Sequence, residues 1–233
     1  WNTAPPVMTM LLDFVLSSTE ARKRFSCLPL RLFLLSGDFI PLSMAPALKG
    51  LMPTKDISVI SLGGATEASI WSCWFPILDI RPEWTSIPYG RALANQKMLV
   101  LDRNSLEPVP DLVSGEICIA GVGLARGYWG DEDKTGKAFI QCEALGWERI
   151  YRTGDLGRLH PSGDVEILGR TDFQVKVNGF RVEIGEVEAA IADGNHDFEI
   201  IYDGVHRVIE SGERDGLARF RTAVGELGGA REE

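Results

Sequence analysis

The stretch Ser61–Trp71, SLGGATEASIW, follows the apolar run DISVI (Asp56–Ile60) and joins it to two glycines, a hydroxyl and a carboxylate. A short apolar run rich in β-branched residues reads as a buried strand, and here it stops at the glycines. Gly63 and Gly64 leave the backbone bare, so that a planar group or a phosphate can lie directly on it. Thr66 can then donate to a phosphate oxygen and Glu67 can hold Mg²⁺. The same residues also read as a strand-to-helix turn with Thr66 as its cap. Both readings stay open on these residues alone.

Outward from this stretch, the spacing of PPVMTMLLDF (Pro5–Phe14) predicts a helix opened by proline. LRLFLLSGD (Leu30–Asp38) predicts a buried strand ending at Gly37, MAPALKGLM (Met44–Met52) a helix, and ISVISLGG (Ile57–Gly64) a second strand. Apolar strands separated by helices predict parallel pairing in an α/β layer, where ligands collect at the C-terminal strand ends. Past Gly90 the pattern becomes short strands: KMLVLD, GEICIAG, YRTGDLGRL and DVEILGR, separated by PVPD, WGDED and PSGD. These predict a small β-barrel or sheet, with HPSGD (His160–Asp164) as a hairpin turn. FQVKVNG reads as a further strand, and RVEIGEVEAAI as a helix with Val187 and Ile191 on one face. The expected fold class is therefore α/β: part of an α/β subdomain over residues 1–92, a β-barrel-like subdomain over 93–171, and from 172 to 233 the start of a small α+β domain with an atypical tail.

The net charge of −9, with both signs interspersed, provides no basic stripe for nucleic acid and no polybasic membrane patch. No run approaches the roughly 18 apolar residues of a spanning helix. Four scattered cysteines without a C-x-x-C pair read as free thiols in a reducing cytosol. The chain opens at Trp1 in mid-pattern, which raises the expectation of an upstream portion.

GVGLARG spaces its glycines wrongly for a dinucleotide fingerprint, and the P-loop, G-x-S-x-G and H-E-x-x-H patterns are absent. In YRTGD, Asp155 is an acceptor-only carboxylate able to take both hydroxyls of a ribose, or else a turn aspartate. GRTDFQVKVNGFRVEIGE sets Arg170, Lys176 and Arg181 beside glycines, which also suits a solvated strand and turn.

Taken in order, GGATE, GEICIAGVGLARGYWGD, YRTGDLGRL and GRTDFQVKVNGFRVEIGEVEAAI closely resemble the successive motifs of non-ribosomal peptide synthetase adenylation domains, within the adenylate-forming (AMP-binding) ligases. The resemblance runs from Trp1 to about Ile191. It implies an enzyme that joins an amino-acid carboxylate to AMP from ATP with Mg²⁺, then passes the acyl group to the phosphopantetheine thiol of a carrier-protein domain. A condensation or cyclisation domain is implied as neighbour. By the same resemblance, Gly64 and Ala65 border adenine and substrate, with Gly37 nearby. Thr66 meets the α-phosphate, Glu67 helps to hold Mg²⁺, Asp155 binds the ribose, and Arg170 lies near it. Asp172 corresponds to the hinge and Gly179 to the loop that approaches the pantetheine channel, with Lys176 as a weaker catalytic candidate. The positions that set specificity fall on Asn2, Leu34, Ser36, Leu62, Ile70 and Trp71, an order that resembles the cysteine-activating code. Core filling is the alternative for each of them.

The sequence departs from the family pattern in places. The aromatic residue over adenine would sit at Gly63. The upstream phosphate loop, the aspartate for the substrate amino group and the C-terminal catalytic lysine are absent, so the expectation is that these 233 residues alone form adenylate poorly. An acyl-CoA or aryl-acid ligase of the same superfamily and a non-catalytic nucleotide-binding remnant are the alternatives.

Overall fold

The computed structural model describes residues 1–82 and 84–171, and the backbone of four strands between residues 175 and 209. The chain divides into two compact units, Trp1–Asp172 and Phe173–Glu233.

The first unit opens with strand β1 (Asn2–Thr3), helices α1 (Pro5–Ser17) and α2 (Thr19–Cys27), strand β2 (Leu32–Ser36), helix α3 (Met44–Leu51) and strand β3 (Ser58–Gly63). Proline starts α1, where its missing N–H costs no hydrogen bond. The Ser18 hydroxyl caps α2 by accepting from Ala21 N at 3.3 Å. The sequence pattern assigned α2 to no element, because only Phe25 in it is buried.

Strands β1, β2 and β3 run parallel. β4 (Cys73–Pro76) and β5 (Arg91–Ala92) continue the sheet antiparallel, in the order β1-β2-β3-β4-β5. One sheet face carries Phe33, Leu35 and Val59 into a core with Met8, Leu12, Met44 and Leu48 of the helices. The other carries Leu34, Ser36 and Leu62, which are only half-buried. Strand alternation thus divides the residues that hold the layer together from those available to a ligand.

A second sheet contains β6 (Gln96–Leu101), β7 (Gly115–Gly121), β9 (Glu148–Leu159) and β10 (Val165–Arg170) in the order β10-β9-β7-β6, with β8 (Phe139–Cys142) also paired to β9. Helix α4 (Glu132–Ala138) precedes β8. The expected barrel-like layer is an open sheet among the described residues. Closure would need hydrogen bonds between β6 and β10, its outer strands, and these do not pair. The HPSGD turn closes β9 onto β10, with His160 N donating to Asp164 O at 2.9 Å.

In the second unit β11 (Val175–Val177) pairs antiparallel with β12 (Phe180–Val182), and β13 (Phe198–Tyr202) with β14 (Val205–Ile209). The expected helix over RVEIGEVEAAI lies outside the described residues apart from Arg181 and Val182, which belong to β12.

Phe33 is fully buried beneath the helices and stacks on Phe25 with ring centroids 6.5 Å apart. Phe33→Ala should destabilise the chain by about 3–5 kcal/mol in denaturant titration, whereas Phe14→Ala, at an exposed position of α1, should shift the midpoint little.

Candidate active site

The end of β3 explains the two glycines. An L side chain at Gly63 would clash with the ring of Tyr89 and place its Cβ 2.7 Å from Cys73 Sγ. At Gly64 (φ 147°) the Cβ would lie 2.6 Å from Ser72 N and 2.7 Å from Ile70 O. The space that a side chain would take at each glycine is filled by the chain's own atoms. Tyr89 is the planar group against Gly63, and its hydroxyl donates to Gly64 O at 3.3 Å. Burial pushes the Tyr89 phenol well above its usual pKa, with smaller contributions from Cys73 and Asp155, so the phenol stays a donor. Burial also pushes the Cys73 thiol up to about 12.

Thr66–Ala68 forms a single 3-10 turn. Ala65 is extended at its N-cap and no side chain caps it, so Thr66 is not the cap that the alternative reading expected. Thr66 is exposed, whereas Glu67 is buried, at 8%. The turn is docked onto the second sheet: Ala68 packs with Ile119, Phe139 and Tyr151.

Glu67 is held from the GVGLARGY segment. Ala125 N donates to Glu67 O at 2.8 Å, and the Tyr128 hydroxyl donates to Glu67 Oε1 at 2.7 Å. Burial and then this hydrogen bond push the Tyr128 phenol up. Tyr128 is itself fixed, because its N–H donates to Thr135 Oγ1 of α4 at 2.9 Å. Arg149 donates to the carbonyls of Ala125 and Arg126, both at 2.8 Å, which ties the segment to β9.

Asp155 on β9 and Arg170 on β10 are register partners, with Arg170 Nη1 2.6 Å from Asp155 Oδ1. The backbone around Asp155 is pinned. Asp155 N donates to Thr153 Oγ1 at 3.0 Å, Gly154 N to buried Glu116 at 3.3 Å, and Thr171 N to Gly154 O at 2.8 Å.

Of the six expected specificity positions, Asn2, Leu34, Ser36 and Leu62 fall on one sheet face, since Asn2 pairs with Leu34 and Ser36 with Leu62. Ile70 and Trp71 follow the 3-10 turn. Gly37 (φ 93°) ends β2 in open space. Lys176 lies on β11 opposite Arg181, a position that defines its backbone only. Asp172 and Gly179 lie outside the described residues. A cleft of about 490 Å³ lined by Lys49, Met52, Ile57, Ser58, Trp74 and Ile77 opens at the start of β3, away from Gly63, and none of the candidates lines it. Sequence reasoning missed Tyr89, Gln96 and Tyr128, whose partners lie 25 or more residues away in the chain.

No three His, Cys, Asp or Glu side chains group as a metal cage among the described residues. Mg²⁺ is commonly held by one or two carboxylates together with phosphates and water, and in such a set Glu67 would supply one ligand.

The family model described as AMP-binding enzyme matches residues 1–129. Bacitracin synthase 1 of Bacillus licheniformis is 49% identical over 188 residues, covering 81% of this chain and 3% of that protein. Pyochelin synthetase PchE of Pseudomonas aeruginosa is 44% identical over 191 residues, covering 82% of this chain and 12% of that protein. The chain therefore spans a small part of the curated relatives it matches. Among solved structures, the non-ribosomal peptide synthetase FmoA3 superposes with a TM-score of 0.67 at 37% identity, over 83% of this chain and 19% of that one. PA1221, described as containing adenylation and PCP domains, gives 0.73 at 26% identity, over 89% and 41%.

The fit of Tyr89 against Gly63 predicts strong coupling. Gly63→Ala should cost about 1–3 kcal/mol by overpacking, and the same substitution in a Tyr89→Ala background should cost less. A double-mutant cycle by thermal or urea unfolding checks this, and additive costs would contradict the packing.

Proposed function

The chain belongs to the AMP-binding enzyme family, and from that premise we propose that it works in an adenylation domain of a non-ribosomal peptide synthetase, activating L-cysteine. One observation carries this reading: a half-buried face of the parallel strands β1–β3 runs to the C-terminal end of β3, where Thr66 and Glu67 are presented on a turn fixed from both sheets. A small substrate on that face would direct its carboxylate towards the phosphate chemistry at the turn.

In the proposed reaction an amino-acid carboxylate oxygen attacks the α-phosphorus of ATP. A new C–O–P bond forms, the bond to the β-phosphate bridging oxygen breaks, and pyrophosphate leaves. The carrier-bound thiol then attacks the acyl carbon and AMP departs, which leaves a thioester. Thr66 donates to the α-phosphate, and Glu67, kept in one orientation by Tyr128, would hold Mg²⁺. When bound, the metal neutralises charge that develops on the phosphates. Asp155 accepts from the ribose hydroxyls, and Arg170 keeps the Asp155 carboxylate oriented. Asp172 and Gly179 serve the hinge and thiolation steps, with Lys176 a further cation for catalysis.

The carrier partner is supported by the structural likeness to PA1221, whose own description includes a PCP domain. Cysteine is supported by the half-buried Leu34 and Leu62, with Asn2 and Ser36 as the polar contacts beside them. An apolar wall suits a polarizable thiol better than a hydrated hydroxyl, and Trp71 limits depth.

The chain within its full reading frame should support pyrophosphate exchange with cysteine in preference to serine and leucine. Discrimination of about 1–3 kcal/mol leaves serine a poor but measurable substrate. Equal kcat/KM values for the three amino acids would refute the cysteine assignment. Coenzyme A acylation with an aryl or fatty acid, without amino-acid activity, would favour the related acyl-CoA or aryl-acid ligases. Asp155→Ala should raise the KM for ATP and leave the amino-acid preference intact, since each hydrogen bond to a charged acceptor contributes about 1.5–3 kcal/mol. Unchanged ATP kinetics would remove the ribose assignment.

A further inference from the structure

Two successive residues in the turn, Ser69 (φ 61°) and Ile70 (φ 69°), are left-handed without being glycine. A β-branched side chain is a rare occupant of that region, because its Cβ crowds the following carbonyl. Ile70 is 63% exposed, so burial of its side chain does little to offset the strain. Surrounding hydrogen bonds must hold the conformation.

Part of the restraint is internal to the turn. Ile70 N donates to Ala65 O at 3.0 Å, Trp71 N to Ser69 O at 2.9 Å, and Ser72 N to Gly63 O at 2.7 Å. The remainder comes from two side chains that bridge to the second sheet. Ser69 Oγ donates to Gly123 O at 2.7 Å, and Gln96 Nε2 donates to Trp71 O at 2.8 Å. The bridges bracket Ile70 and meet at one end of the β6–β7 pair, where Gln96 is the register partner of Gly121. Gly123 admits the Gln96 amide, since a Cβ there would lie 3.0 Å from Gln96 Cδ and Nε2.

We infer that Ser69 and Gln96 are positioning residues that latch the left-handed Ser69–Ile70 pair to the β6–β7 end, and thereby fix the Ile70–Trp71 wall that selects the substrate side chain. The selectivity half rests on the function proposed above. Both residues grip main-chain carbonyls and leave the side chains of Ile70 and Trp71 to face their surroundings. Breaking a latch lets the wall relax towards ordinary backbone angles without removing any group assigned to ATP.

Two measurements test this. In exchange assays on the chain within its full reading frame, Ser69→Ala and Gln96→Leu should each lower the cysteine-to-leucine ratio of kcat/KM about tenfold, through the KM for the amino acid. The KM for ATP should stay within about twofold. Ser69→Asn, which keeps a donor and tolerates left-handed angles, should retain the ratio. An unchanged ratio in both latch variants, or equal rises in the KM for ATP and amino acid, overturns the selectivity role. The second measurement needs no activity. Ile70→Gly relieves the strain and should raise Tm by about 2–4 °C in the unmodified chain, but by less in the Ser69→Ala background, where the turn is already released. Equal shifts in the two backgrounds overturn the latch itself. Absence of amino-acid exchange in the unmodified enzyme would refute the proposed function and the selectivity role with it, while the thermal comparison would still decide the latch.

Discussion

Glu67 sits on the turn where the first sheet docks onto the second, and the orientation of the site's carboxylate depends on that junction. Its carbonyl accepts from Ala125 N and its carboxylate from the Tyr128 hydroxyl, while its neighbour Ala68 packs among Ile119, Phe139 and Tyr151. A buried carboxylate on a single 3-10 turn has no extended element of its own to orient it. The orientation comes from a segment anchored on one side by Thr135 of α4 and on the other by Arg149 of β9. A carboxylate held from two sides in this way is pre-oriented, the condition under which the electrostatic role proposed for it would be most effective.

The glycines at 63 and 64 serve this junction rather than presenting bare backbone on every side. Tyr89 occupies the side-chain direction of the first, and the returning backbone of Ile70 to Ser72 that of the second. The return is so tight that it needs left-handed angles at Ser69 and Ile70. Local strain is thus tolerated where hydrogen bonds from another layer over-determine the chain.

Much of the fold was legible in the sequence because its first layer follows simple periodicities. Pro5 and the apolar spacing after it marked α1, and the unbroken runs at Leu32–Ser36 and Ser58–Gly63 marked strands that are parallel in the structure. The motif string read correctly as that of an AMP-binding enzyme. Helix α2 escaped because it is polar nearly all round and buries only Phe25. Barrel and open sheet could not be separated, because alternation along β6, β7, β9 and β10 is the same in both and closure depends on which strands meet.

The sequence by itself determined the periodic elements of the first layer, the residue types at Thr66, Glu67, Asp155 and Arg170, and the family, since these depend on residue type and short spacing. Only the tertiary structure decided that Tyr89 fills the place beside Gly63, that Tyr128 orients Glu67, and that Ser69 and Gln96 fasten the turn. Each of those contacts joins residues between 25 and 61 positions apart, the Ser69 latch to Gly123 spanning 54. Local propensity carries no information about partners at that distance. They are selected when the apolar faces of two sheets are buried and the polar groups between them must find one another.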